Sequence, residues 1–168
     1  ADQELDNPEV STLAGSSSGF NDATGTSAKF KNPLMVVSDG TNLYVADQGN
    51  HKIRKIVISS GVVTTLAGSG NPDFADGTGA NASFNTPYGI VSDGSNLYIS
   101  DKNNHKIRKI VISSGVVTTL AGSGNSGSTD ATSGTSASFN KPTGITRDGT
   151  NLYVTGSESH KIRKIVIS

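Results

Sequence analysis

The sequence predicts an all-β chain, a β-propeller assembled from four-stranded blades. Two observations carry that reading. The stretch "HKIRKIVISSGVVTTLAGSGN" runs from His51 to Asn71 and recurs, letter for letter, from His105 to Asn125, and a third copy starts at His160. Around it, Phe30, Phe84 and Phe139, Pro33, Pro87 and Pro142, and Asn42, Asn96 and Asn151 step by 54 and then 55 residues. Self-similarity at a fixed period marks a repeat architecture, and four short antiparallel strands per period describe a propeller blade. Composition agrees: 33% hydrophobic residues with 20 glycines in 168 suits many short strands and turns.

The second repeat shows the elements in order. The first strand follows the proline, "YGIVSD" (88–93). The turn "DGSN" comes next, where Gly94 accepts a positive φ. The second strand is "LYIS" (97–100), and a polar connection, "DKNN", leads to the third, "HKIRKIVI" (105–112). Ile107, Ile110 and Val111 also have helical spacing. The segment is short, rich in β-branched residues and closed by Ser-Ser-Gly, so it reads as a strand with a bulge near Arg108. The fourth strand is "VVTTLA" (116–121). It alternates poorly, as expected of a sheet covered on both faces. A long Gly/Ser/Asn/Asp loop closes the unit and absorbs the variation in length: Leu13 to Phe30 is 17 positions, Leu66 to Phe84 is 18, Leu120 to Phe139 is 19. One such sheet cannot bury both half-apolar faces alone, whereas stacked blades can.

"PYGIVSDGSNLYISDKNNHKIRKI" (87–110) and "PLMVVSDGTNLYVADQGNHKIRKI" (33–56) resemble the NHL repeat, with Asn50-His51 and Asn104-His105 as the Asn-His pair. The resemblance extends over about residues 10–168. It implies a β-propeller, usually of six blades, in a family of protein- and RNA-binding modules, extracellular sensor domains and a few enzymes. The residues taken as the structural blade signature are Asp47, Asn50, His51, Asp101, Asn104, His105 and His160. The third repeat departs from it: Gly156 stands for the Asp and Ser159 for the Asn, so that blade is expected to be looser.

The organisation is read as a tail at 1–9 and a propeller domain at 10–168, with repeats at about 10–58, 62–112 and 116–168. "EVSTLAG" (9–15) matches the fourth strand "VVTTLAG", while residues 160–167 form a third strand. Three blades make half of a six-bladed ring. The expectation is a homodimer that closes the ring by pairing 10–14 of each chain with 160–167 of the other, removing open strand edges. The alternative is a fragment of a longer propeller.

Candidate chemistry is sparse. Equivalent histidines, one per blade, point to separate places, so they read as structural rather than as metal ligands. Nine of the 14 basic residues lie in the three "HKIRK" segments. A basic belt of that kind would suit phosphates, but the net charge is zero and no aromatic residues interleave for base stacking, so nucleic acid is disfavoured. Loop carboxylates Asp22, Asp73, Asp76 and Asp130 hint at calcium without EF-hand spacing. "GTGANA" (77–82) nominally matches a dinucleotide motif but opens no helix in a βαβ unit. Asn81-Ala82-Ser83 is a glycosylation sequon. There is no Cys and no apolar run of membrane-spanning length. The composition leans towards an extracellular or periplasmic setting. No nucleophile-base pair is visible. The expectation is a non-catalytic scaffold or binding module with no cofactor and with a protein or small-molecule ligand. A lyase- or lactonase-type enzyme with a channel metal and an RNA-binding module are the alternatives.

Overall fold

The computed structural model describes residues 8–167. Most of the tail expected at 1–9 and the terminal Ser168 lie outside the described residues. Three antiparallel sheets follow one another. The first is β1 (Pro33–Ser38), β2 (Asn42–Asp47), β3 (Lys52–Val57) and β4 (Val63–Ala67), in that order. In the second, β5 (Gly77–Thr78) lies outside β9 (Val116–Ala121), followed inwards by β8 (Lys106–Val111), β7 (Asn96–Asp101) and β6 (Pro87–Ser92). The third holds β10 (Pro142–Arg147), β11 (Asn151–Gly156) and β12 (Lys161–Val166). The first sheet has the four strands expected of a blade, the second has those four with β5 added, and the third has the three expected of it.

The second sheet gains β5 because the loop entering it lays Gly77 and Thr78 antiparallel against Val117 and Val116. The strand expected at 10–14 was to pair with residues 160–167 of another chain; in the single chain residues 8–13 have no regular structure, and Val10 is 93% exposed. A strand needs a partner's backbone groups, and none of the described strands offers its edge there. The bulge near Arg108 is present as a register shift between Ile107 and Arg108 in the β8–β9 pairing.

The Asp-Gly turns are tied by side chains. Asp93 accepts from the backbone N–H groups of Ser95 and Asn96 and from the Tyr98 hydroxyl at 2.9 Å. Burial opposes ionisation, yet these donors hold the Asp93 carboxyl at about 2, while burial and the carboxylate push the Tyr98 phenol up to about 12. Asp39 with Tyr44 and Asp148 with Tyr153 repeat the arrangement.

The sheets stack face to face, as their apolar residues require. Tyr44, Ala46 and Ile53 of the first sheet meet Ile90, Leu97, Ile99 and Ile110 of the second, with Phe84 from the joining loop. Tyr98 and Ile107 then meet Leu152, Val154 and Ile165 of the third, with Phe139 from the next loop. Between sheets, β6 lies closest to β1 on one side and β10 on the other, so these first strands form the inner edge of the array. At Gly89 a Cβ would run into the Thr143 carbonyl oxygen and Ile145, so only glycine permits that approach. Among the described residues no helix is long and apolar enough to cross a membrane.

Candidate functional site

The charged residues of the repeat converge on one polar node per blade. Arg108 projects from β8 to a fully buried position although it carries a charge, so it requires partners. Its Nη1 donates to Asp101 Oδ2 at 2.7 Å and to the Ser83 carbonyl oxygen at 2.9 Å; Nη2 donates to Asp76 Oδ1 and the Ala75 carbonyl oxygen, both at 2.7 Å. The guanidinium plane lies between the rings of Phe74 and Phe84, 4.8 and 5.1 Å from their centroids. Asp101, itself fully buried, also accepts from Asn104 Nδ2 and from the Asn85 backbone N–H, each at 2.8 Å. Burial pushes this carboxyl up, and the guanidinium with the two further donors pulls against it. Asn104 reaches on to the Asp73 carbonyl oxygen. One Asp, one Asn and one Arg thus pin a long loop across the outer half of the sheet.

The first blade repeats the node around fully buried Arg54. Its partners are Asp47, Asp22 and the carbonyl oxygens of Lys29 and Asn21, and Asn50 bonds Asp47 and Gly19. Phe20 and Phe30 flank the guanidinium. In the third blade the node is incomplete. Arg163 keeps the carbonyl oxygens of Ser138 and Thr129 and pairs with Asp130, which is 88% exposed, but Gly156 supplies no carboxylate.

The histidines join one blade to the next. His51, His105 and His160 share a left-handed backbone at φ 54° after a 3-10 turn or bend. His51 Nδ1 accepts the backbone N–H of Thr86, and His105 Nδ1 accepts that of Lys141, each at 3.1 Å. Thr86 and Lys141 are left-handed as well, as is their equivalent Asn32. Desolvation first, then the charges of Lys31 near His51 and Lys141 near His105, hold both imidazoles below the usual histidine value; Glu158 and the Phe139 carbonyl pull His105 the other way. The neutral ring that accepts the N–H is therefore the form the fold favours.

These positions bear on two sequence-based readings. The "HKIRK" segments do not make a uniform basic belt: Arg54 and Arg108 are enclosed, and Lys52 and Lys106 donate to the Gly68 and Gly122 carbonyl oxygens and lie over Phe20 and Phe74. Asp22, Asp76 and Asp130, weighed as calcium donors, instead pair with Arg54, Arg108 and Arg163. Asp73 turns its carboxylate to the backbone N–H of Phe74. The arginines were the residues missed. Asp47 and Arg54, like Asp101 and Arg108, are seven apart, and Asp22, Asp76 and Asp130 step by 54, so the period itself links the partners. No group of three or more His, Cys, Asp and Glu side chains placed to hold a metal occurs among the described residues.

The loops at 15–32, 68–86 and 122–141 vary in length and sequence between blades and carry the exposed Phe20 and Phe74. A depression of about 240 Å³ lies on the first sheet's free face, lined by Phe30, Leu34, Met35, Val36, Val45 and Ile56.

No family model matches the chain. It is 34% identical over 166 residues to NHL repeat-containing protein 2 of Bos taurus, covering 89% of this chain and 23% of that protein. The human protein of the same name is 33% identical over 157 residues, so the chain spans under a quarter of the length of the curated relatives it matches. Among solved structures, an auxiliary nutrient binding protein from Bacteroides ovatus superposes with a TM-score of 0.70 at 25% identity, over 84% of this chain and 38% of that one.

Proposed function

The chain belongs to the NHL-repeat family, and from that premise we propose that it is a non-catalytic β-propeller module, a scaffold or binding unit that works as a closed six-bladed ring. The observation that carries this reading is that the residues able to do chemistry are occupied in holding the fold. The imidazoles of His51 and His105 accept backbone N–H groups, and each buried arginine is paired with two carboxylates. Their repetition at equivalent positions places them in separate blades, where they cannot converge on one substrate. Nutrient binding by structural neighbours is in keeping with a binding role. Ligand recognition is assigned to the loops at 15–32, 68–86 and 122–141, because they differ in length and sequence between blades while β3, β8 and β12 are identical. The ligand is a protein or a small molecule.

The test is elemental analysis and thermal titration of the purified chain with calcium and zinc. Substoichiometric metal and an unchanged unfolding midpoint are expected. A stoichiometric divalent ion that raises the midpoint would contradict the proposal and favour a lyase- or lactonase-type site with metal in the channel.

A further inference from the structure

On the reading that the protein works as a closed propeller, we infer that its partner is a second copy of this chain, with the third blade of each copy seated on the first blade of the other. The two junctions inside the chain define what such a contact needs. At each, a Tyr and an Ile from one sheet, Tyr44 with Ile53 and then Tyr98 with Ile107, pack on aliphatic residues of the next. The third blade presents the same pair, Tyr153 and Ile162, on a free face; Ile162 is 77% exposed where Ile53 and Ile107 are fully buried. The first blade presents the complementary surface, with Val36 55% exposed where its equivalent Ile90 is 4% exposed. The two free faces are the two halves of one junction.

Hydrogen bonding gives the same pairing independently. Each internal junction joins a left-handed histidine to a left-handed residue of the next blade, and His160 and Asn32 are the remaining acceptor and donor. Asp22 and Asp76 accept the backbone N–H groups of Thr65 and Thr119. Asp130 and Thr12 are the corresponding acceptor and donor without such a bond among the described residues. In the ring, His160 would take the N–H of the partner's Asn32, and Asp130 that of the partner's Thr12.

The end of the segment at 10–14 is already placed for this. Gly15 donates to the Gly25 carbonyl oxygen at 3.1 Å, as Gly68 does to Gly79 and Gly122 to Gly134. Residues 13–15 therefore lie against the first blade as the end of an outer strand lies against the following blade. β12 exposes the edge that such a strand would cover. Transferring the β3–β4 register pairs Ile162, Arg163, Lys164 and Ile165 with the partner's Ala14, the partner's Thr12, the partner's Ser11 and the partner's Val10. Propellers typically close with about four to eight blades, so two sets of these three sheets would fit one six-bladed ring.

Sedimentation equilibrium of the 168-residue chain at micromolar concentration tests this, with Ile162→Lys and, from the opposite face, Val36→Lys. Both residues are exposed in one chain, so each variant should keep its far-ultraviolet spectrum. The parent should sediment at twice 17.2 kDa. Each variant should dissociate roughly 30-fold more readily, or more, because a lysine would be buried at the centre of the contact. A parent that sediments as one folded chain, or variants that associate as tightly as the parent, would overturn the inference. Neither result bears on catalysis, which the metal titration decides separately.

Discussion

Arg108→Ala is expected to destabilise the protein by about 3–5 kcal/mol, because it leaves a buried carboxylate without its cation. Asp101 is fully enclosed and receives its closest charged contact, 2.7 Å, from Arg108. The substitution also removes the guanidinium from between Phe74 and Phe84 and strips the donors from the Ser83 and Ala75 carbonyl oxygens. Arg163→Ala provides the comparison within the same molecule. Its blade has Gly156 where Asp101 would stand, and its one carboxylate partner, Asp130, is largely solvated. Losing hydrogen bonds to two carbonyl oxygens and one exposed ion pair is expected to cost only about 1–2 kcal/mol. Urea unfolding followed by circular dichroism measures both. Equal losses in the two variants would mean that the buried Asp–Arg pair does not organise the blade.

Phe84→Ala is the second large effect, at about 3–5 kcal/mol for a fully buried aromatic side chain. Phe84 comes from the loop entering the second blade, is 0% exposed, and fills the space between the first two sheets while covering Arg108. Phe30 is its equivalent on the free face of the first blade, where it is half-buried beside Leu34, Met35 and Val36. Phe30→Ala should therefore cost about half as much in a single chain, since less surface leaves water on folding. In an assembled ring its cost should approach that of Phe84→Ala. Comparing the two variants by denaturant midpoint across protein concentration reads the environment of that face directly.

Much of the fold was legible in the sequence because the strands repeat. Three copies of Asp-Gly before Asn-Leu-Tyr mark the turn, and Ser-Ser-Gly marks the bend into the outer strand, so period and turn chemistry agree on the elements. The segment at 10–14 takes no strand form in the single chain, for a physical reason. Its residues match β4 and β9, but pattern alone makes no strand; a hydrogen-bonded edge does, and β12 lies elsewhere in the chain. The polar nodes were harder to see. Charged side chains in "HKIRK" ordinarily read as solvated, and the burial of Arg54 and Arg108 depends on loops 32 to 33 residues away folding over them. The partial decay of the node in the third blade was visible as Gly156 and Ser159. Its consequence, an arginine left with only a solvated carboxylate, became visible with the structure.

The reading of the repeated histidine as a tie between blades can be checked by amide hydrogen exchange near neutral pH. If the imidazoles of His51 and His105 accept the backbone N–H groups of Thr86 and Lys141 at 3.1 Å, those two amides should be protected to a degree comparable with the core strands β7 and β8. The partner-facing Asn32 amide should join them only under conditions where the ring is assembled. Exchange of Thr86 and Lys141 at the rate of an open loop would contradict the structural role of the histidines, and with it the assignment of the repeat as scaffold rather than chemistry.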